Sequence, residues 1–171
     1  DVIGQRPIDV HLSGFEAMGA VVTREGERYV TSAPQGLRGA RVFMDYPSVS
    51  GTQNVMMAAT LARAHTTIVN AATEPEVQEL ANLLNGMGAR ISGIGSQMLE
   101  VEGVEAVHGT NARVMPDRIE TGTWAIAAVM TGGDVELNDV PTGCLDALLT
   151  KLRAAGADIE EHGNSLRVRR A

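Results

Sequence analysis

The hydrophobic residues follow two different spacings along the chain, and these predict helices and strands in alternation. From Ile8 to Met18 they recur every three or four residues, which is typical of one face of an amphipathic helix. Two short runs rich in β-branched residues follow at 21–24 and 28–31, on either side of a polar turn that contains glycine. Helical spacing returns at 145–155. The order of these segments predicts an α/β chain.

The same phrases return along the chain at intervals of about 70 residues, which indicates an internal repeat. A Gly-Ala pair follows a predicted helix at Gly19, at Gly88 and again at Gly156. A second phrase, Gly-Thr followed by small and apolar residues, occurs at Gly51 and Gly122. This interval is too long for a solenoid repeat and fits a repeated supersecondary unit of the βαβαββ type.

The helix predicted at 52–62 has an unusual composition. Its residues are apolar or small nearly all round: Val55, Met56, Met57, Ala58, Ala59 and Leu61. A helix that is hydrophobic on every side is normally buried on every side. We therefore expect this helix to be fully enclosed, with sheets outside it.

Composition and charge exclude several classes of protein. The chain has 171 residues, of which 44% are hydrophobic, enough for one generous globular domain. A net charge of −7 argues against nucleic acid or an anionic membrane as the main partner. A single cysteine, Cys144, fits the reducing cytoplasm, and the four scattered histidines offer no metal-ligand spacing. No apolar run is long enough to span a membrane. Because the chain starts at Asp1, we expect a piece of a longer protein.

Four segments carry a specific resemblance: 1–11 (DVIGQRPIDVH), 44–49 (MDYPSV), 70–76 (NAATEPE) and 116–123 (PDRIETGT). Together they resemble the UDP-N-acetylglucosamine 1-carboxyvinyltransferases, a family of enolpyruvyl transferases, and the resemblance covers essentially the whole chain. It implies an architecture of two inside-out α/β barrels with buried helices and a cleft between them. Residues 1–115 would then form the larger part of the first barrel, and 116–171 the first unit of a truncated second domain.

The resemblance also implies a reaction and its requirements. The family moves the enolpyruvyl group of phosphoenolpyruvate onto the 3-hydroxyl of UDP-N-acetylglucosamine and releases phosphate, the first committed step of peptidoglycan synthesis. This chemistry requires an acid, a base and cations that hold the phosphate and carboxylate, and no metal or organic cofactor. The base comes from segments outside this chain, so we expect the segment alone to be inactive.

Three residues match catalytic positions of the family. Asp1 matches the general acid on a mobile loop, where most members have Cys. A carboxyl with an ordinary pKa of about 3.9 is almost fully ionised at neutral pH, so we expect the closed site to raise the pKa of Asp1. Arg6 matches an arginine that meets phosphate and carboxylate oxygens. Asp117 matches the hinge motif beside the reacting groups.

The substrate-binding positions form a larger set that the resemblance places around the uridine, the sugar and the diphosphate: Arg6, Pro7, Ile8, Asp9, Val10, Tyr46, Pro47, Ser48, Val49, Glu74 and Arg118. The family often has Lys at position 46 and Gly at position 50. Tyr46 can form a hydrogen bond there but carries no charge.

A purely structural interpretation stays open for each of these segments. Pro7 fits the start of a helix, Ser50 fits a helix cap, and the segment from Thr73 to Glu76 fits a capping box. Asp117 and Arg118 together fit an ion pair between domains. The histidine in the first segment, His11, is more readily structural than catalytic.

Two other functions remain alternatives. The shikimate-pathway enolpyruvyl transferase, 3-phosphoshikimate 1-carboxyvinyltransferase, shares the fold and the chemistry, although the segment from Arg6 to Asp9 favours the nucleotide-sugar branch. A non-catalytic nucleotide-sugar-binding module is a different class of protein that the same repeat could build.

Asp1 predicts the response of the intact enzyme to the epoxide fosfomycin, which alkylates a thiolate in family members with Cys at this position. Because a carboxylate is a much poorer nucleophile, we expect insensitivity and no adduct of one drug mass by intact-mass spectrometry. The matched control is Asp1→Cys, which restores the thiol. An adduct on the unchanged enzyme would contradict the prediction.

Overall fold

A computed structural model describes residues 7–170 of the chain. The chain divides into two compact units, one ending at Ala112 and the other beginning at Arg113. The assignment of these units to two separate barrels stays a prediction. None of the helices in the described range is long and apolar enough to cross a membrane.

Unit 1 contains three helices, a hairpin and a mixed sheet. The hairpin of β1 and β2 is antiparallel, and the second sheet has the order β3-β4-β6-β5, with β3 and β4 parallel and the other pairs antiparallel. The elements are α1 (Asp9–Ala17), β1 (Val21–Glu25), β2 (Arg28–Ser32), β3 (Arg41–Phe43), α2 (Val49–Thr60), β4 (His65–Val69), α3 (Pro75–Gly86), β5 (Arg90–Ser92) and β6 (Met98–Glu102).

Unit 2 contains two α-helices, one 3₁₀ turn and an antiparallel sheet of order β7-β9-β8. Its elements are α4 (Arg118–Thr131), β7 (Asp134–Asn138), the 3₁₀ turn Thr142–Cys144, α5 (Asp146–Ala154), β8 (Ala157–His162) and β9 (Ser165–Arg170). Residues 112–115, which precede α4, have no regular secondary structure.

The internal repeat is confirmed by the order of elements in the two units. In unit 1, α2 is followed by β4, α3, β5 and β6, and in unit 2, α4 is followed by β7, α5, β8 and β9. The last strand lies in the middle of the three in both cases. The repeated glycines Gly19, Gly88 and Gly156 have φ of 92°, 99° and 93° after their helices. A residue with a Cβ is strained in that conformation, which explains why glycine recurs there.

The prediction that α2 is buried on all sides is wrong for part of its surface. Val55, Met56 and Ala59 are fully buried in the core of unit 1. Met57 and Leu61, however, are 43% and 58% exposed. Composition correctly indicated a helix with buried residues, but it could not show that the described chain leaves the side with Met57 and Leu61 uncovered.

The ends of two helices meet a short bridge between separate loops. Arg38 donates its backbone N–H to the carbonyl of Met18 at the end of α1, and Arg63 follows the end of α2. The two arginines pair as an isolated parallel β-bridge. This bridge therefore lies where α1 and α2 present their C-terminal carbonyls.

The outer face of the larger sheet carries a hydrogen-bonded cluster centred on His65. The Nδ1 of its imidazole lies 2.6 Å from a carboxylate oxygen of Glu102, and its Nε2 lies 2.5 Å from Glu100. The Thr67 hydroxyl donates to Glu100 at 2.7 Å. The hydrogen bonds to Glu100 and then Glu102 raise the pKa of His65. The Thr67 hydroxyl and then the His65 imidazole lower the pKa of Glu100 against its partial burial.

This cluster predicts a pH window for the stability of the sheet. The contribution of His65 is fully present below its ordinary pKa of 6.5 and is lost as the pH rises through the raised value. The contribution of Glu100 is present above its ordinary pKa of 4.5 and is lost as the pH falls through the lowered value. We expect the free energy of unfolding, measured in urea by circular dichroism, to fall as the pH rises from about 6.5 through the raised pKa of His65.

The matched control for this prediction is His65→Gln, which places a hydrogen-bonding amide where the imidazole was but does not titrate. Its unfolding free energy should change less over that interval. An equally steep decline in the variant would show that His65 is not the source.

Candidate functional site

Three helices of unit 1 begin at the same end of the unit. Val10 in the first turn of α1 packs closely against Gly51 in the first turn of α2, so that a Cβ on Gly51 would lie 3.0 Å from Val10 Cγ2. In the second turn, Gln53 of α2 donates its side-chain amide to the carbonyl of Glu76 in the first turn of α3, at 3.3 Å. The three helix N-termini are therefore neighbours.

The sheet explains why α2 and α3 start side by side. The strands β3 and β4 are parallel, and each is followed by one of these helices. The carboxyl ends of parallel strands lie at the same edge of a sheet, so the loops that follow them, 44–48 and 70–74, lie together. Asn70 joins the two loops, because its amide donates to the carbonyl of Met44 at 2.8 Å. Asn70 has a left-handed backbone with φ of 59°, which asparagine tolerates better than most residues.

The first turn of α2 is held by two hydroxyl groups. Ser48 is the N-cap, and its Oγ accepts the backbone N–H of Gly51 at 3.1 Å, so the cap is Ser48 and not the predicted Ser50. The fully buried Thr52 accepts the N–H of Ala72 at 3.0 Å. These bonds fix the helix start against the loop that precedes α3.

The start of α3 differs from its prediction. Pro75 occupies the first helical turn as expected, but the capping box of Thr73 and Glu76 is wrong. The N-cap is Glu74, and no side-chain cap hydrogen bond forms there within the described part of the chain. Its backbone carbonyl accepts from Val77 and Gln78 instead. The Glu74 carboxyl therefore does not serve as the cap.

A third contact connects α1 and α2 through side chains. His11 of α1 lies with its Nδ1 2.8 Å from the amide nitrogen of Asn54. The Nε2 of the same ring lies 3.4 Å from the hydroxyl of Ser50. The structural interpretation of His11 thus agrees with its position between the two helices.

Grouped helix N-termini have a definite chemical capacity. Each presents backbone N–H groups that have no partner within the helix, and each carries a partial positive charge. Such an end binds phosphate or carboxylate oxygens. Two carboxylates also lie at this end of the unit: Asp9 is exposed and Glu74 is half-buried. They can accept hydrogen bonds from neutral hydroxyl or imide groups.

The structure therefore brings together the predicted substrate-binding residues of unit 1: Pro7, Ile8, Asp9, Val10, Tyr46, Pro47, Ser48, Val49 and Glu74. Tyr46 is 40% exposed and Ile8 is equally exposed, so both have side-chain surface available to a ligand. Asp1 and Arg6 lie outside the described residues. Asp117 and Arg118 belong to unit 2 and are described there by themselves.

Asp117 has a structural task at the start of α4. Its Oδ1 accepts the backbone N–H groups of Ile119 at 2.7 Å and Glu120 at 3.2 Å, which makes it the N-cap. It also borders a depression of about 430 Å³ together with Glu120, Trp124 and Asn138. The carboxylate thus serves as a cap while remaining exposed beside a concave surface.

Proteins of one family match this chain along its whole length. The sequence model of that family, EPSP synthase (3-phosphoshikimate 1-carboxyvinyltransferase), matches residues 1–171. The chain belongs to the EPSP synthase family. A curated member from Gluconacetobacter diazotrophicus, a UDP-N-acetylglucosamine 1-carboxyvinyltransferase, is 49% identical over 168 residues. That alignment covers 98% of this chain but only 40% of the relative, so the chain spans less than half of that relative's length.

Solved structures of enolpyruvyl transferases confirm the predicted fold. The enolpyruvyl transferase NikO from Streptomyces tendae superimposes with a TM-score of 0.84 at 18% identity, covering 98% of this chain and 43% of NikO. An EPSP synthase from Acinetobacter baumannii gives a TM-score of 0.68 at 20% identity, covering 96% of this chain and 40% of that enzyme. At these identities the likeness concerns the fold alone.

The sequence analysis missed several residues that organise the site. Asn54, Asn70 and Thr52 form side-chain hydrogen bonds there. The sequence marked Thr52 only through the repeated Gly-Thr phrase and Asn70 only as the start of a resemblance segment, and it did not mark Asn54. The capping role of Asp117 had a visible signal, since Asp followed three residues later by Glu120 is typical of a helix start. Between residues 7 and 170, no group of three or more His, Cys, Asp or Glu side chains is arranged to hold a metal ion.

The cap predicts that Asp117 stabilises unit 2. We expect Asp117→Ala to lower the free energy of unfolding of this unit by about 1 kcal/mol, because two helix N–H groups lose their acceptor. Asp117→Asn should retain most of the stability, since asparagine caps equally well. The single tryptophan, Trp124, lies on α4, so its fluorescence in urea reports on this unit. Equal destabilisation by Asn and Ala would contradict the capping role.

Proposed function

We propose that this chain is part of a UDP-N-acetylglucosamine 1-carboxyvinyltransferase and supplies one wall of its nucleotide-sugar site. The parent enzyme would transfer the enolpyruvyl group of phosphoenolpyruvate to the 3-hydroxyl of the sugar and release phosphate. The observation that carries the proposal is the shared end of α1, α2 and α3, where the residues that resemble the family's substrate-binding segments lie together. The 49% identity to an enzyme of that name supports this branch of the family.

The chemistry of the site fits a nucleotide diphosphate sugar. The N-termini of α1 and α2 offer backbone N–H groups and the hydroxyls of Ser48 and Ser50 to the diphosphate oxygens. Asp9 can accept a hydrogen bond from the base or a sugar hydroxyl. Tyr46 brings a hydroxyl to this end of the unit without a charge.

The reacting groups would be handled by other residues. Asp1 would protonate the methylene carbon of phosphoenolpyruvate, and Arg6 would bind phosphate and carboxylate oxygens through its planar guanidinium. Asp117 and Arg118 would meet the reacting groups from the hinge. In this proposal Asp117 keeps its cap, since only its Oδ1 accepts from the helix and the other oxygen remains available.

The proposal places the parent enzyme in peptidoglycan synthesis in the cytoplasm, with the remainder of the parent chain completing the cleft. The segment alone would bind the nucleotide sugar but not turn it over, since the base belongs to the remainder. The family model, named for 3-phosphoshikimate as substrate, makes that compound the appropriate competitor in a test.

The test is an amide-resolved NMR titration of the ¹⁵N-labelled chain with UDP-N-acetylglucosamine. We expect saturable shifts at residues 7–10 and 46–50, because the ligand lies against these helix starts. Arg6→Ala should weaken binding about tenfold if one charge-assisted hydrogen bond is lost.

The control ligand is 3-phosphoshikimate, which should give no saturable shifts at the same amides. Saturation by 3-phosphoshikimate alone would transfer the proposal to the sister enzyme. A folded chain that responds to neither ligand would contradict the nucleotide-sugar site.

A further inference from the structure

His11, Asn54 and Ser50 form a chain of polar side chains that links α1 to α2. His11 projects from α1, while Ser50 and Asn54 lie one turn apart on α2. The His11 ring is half-buried between them and Ser50 is exposed at the helix start. These three side chains therefore connect the contact between the two helices with the proposed ligand surface.

The partners of His11 determine which ring nitrogen carries its proton. The Asn54 amide nitrogen, 2.8 Å from Nδ1, has only protons to offer, so Nδ1 must accept. A neutral imidazole that accepts at Nδ1 carries its proton on Nε2. That Nε2–H faces the Ser50 hydroxyl at 3.4 Å.

The direction of these hydrogen bonds leaves the hydroxyl proton of Ser50 without an acceptor among these three residues. Ser50 Oγ accepts from His11, so the hydroxyl proton of Ser50 is available to a third partner. Ser50 is the second residue of α2, among N–H groups that lack partners within the helix. Ser48 is in the same condition, because its Oγ accepts from Gly51 and its own proton is free to be donated. Both hydroxyls are thus arranged as donors.

We propose that Asn54 and His11 are positioning residues that orient the Ser50 hydroxyl as a hydrogen-bond donor to a diphosphate oxygen of the nucleotide sugar. The inference rests on the proposed function and adds to it the two residues that orient the Ser50 hydroxyl. Neither Asn54 nor His11 touches the ligand. Asn54 keeps the ring proton of His11 on Nε2, and His11 in turn directs the hydroxyl proton of Ser50 towards the ligand.

The substitution Asn54→Asp tests the direction of these hydrogen bonds, because it hardly changes the shape of the side chain. A carboxylate only accepts, so it draws the ring proton to Nδ1 and turns Nε2 into an acceptor. The Ser50 hydroxyl then donates to the ring and has no proton left for the ligand. Ser50→Ala removes the same donor directly, and the double variant completes a cycle.

The readout is the dissociation constant for UDP-N-acetylglucosamine, measured at mildly alkaline pH. Ser50→Ala and Asn54→Asp should each weaken binding about tenfold, the effect of one hydrogen bond to a charged group. The double variant should be no weaker than Ser50→Ala alone. A second readout is the ¹⁵N spectrum of the His11 ring, which distinguishes protonation at Nε2 from Nδ1.

Two control variants separate this effect from simpler ones. Asn82→Asp adds a carboxylate on the exposed side of α3, and Ser13→Ala removes an exposed hydroxyl from α1. Both should leave the affinity nearly unchanged. Ser50→Thr, which keeps the hydroxyl, should retain most of the binding lost in Ser50→Ala.

Three results would overturn the inference while the proposed function stands: unchanged affinity in Ser50→Ala, additive losses in the double variant, or a ring proton on Nδ1 in the unchanged chain. Additive losses would mean that the carboxylate introduced by Asn54→Asp acts by charge alone and not through Ser50. Failure of the unchanged chain to bind the nucleotide sugar would remove the proposed function and this inference together.

Discussion

The close packing of α1 on α2 is the constraint on which the rest of unit 1 depends. Two glycines make it possible. A Cβ on Gly14 of α1 would lie 2.5 Å from Val55 Cγ2, and one on Gly51 of α2 would meet Val10. Because neither position accommodates even a methyl group without displacement, the two backbones approach until the side chains around them fill the core. The alignment of the helix starts, and the reach of His11 to α2, follow from this approach.

Unit 2 also has a glycine at a close contact between two helices. Gly122, the counterpart of Gly51 in the repeated Gly-Thr phrase, lies in α4 where a Cβ would come 2.8 Å from Leu148 of α5. The phrase is therefore repeated because each copy marks a contact between helices. The strand order that follows is also the same in both units, so the repeat preserves a packing arrangement as well as a sequence.

Much of the fold could be predicted from the sequence because its signals are local. The spacing of apolar residues located α1 and α5, and the glycines with positive φ marked the turns after three helices. The limits arise where the answer depends on distant residues. The exposed face of Met57 and Leu61 could not be inferred from composition, since burial depends on what packs there. The contact of His11 with Asn54 joins residues that are 43 apart in the sequence, and no periodicity predicts it. Substrate residues came from the resemblance, whereas the hydrogen bonds that hold their loops, such as that of Asn70, became visible only in the structure.

The bridge between Arg38 and Arg63 has a consequence that reaches beyond the atoms in contact. It follows the carboxyl ends of α1 and α2, the opposite ends of the helices whose amino ends meet near Ser48. Peptide dipoles add along a helix, and two helices that start together reinforce one another. Neither α1 nor α2 has a basic residue in its last turn, whereas an acidic residue stands at the opposite, positive end, with Asp9 in the first turn of α1. The bridge thus joins the two negative poles of these helices at the end of unit 1 opposite the helix starts.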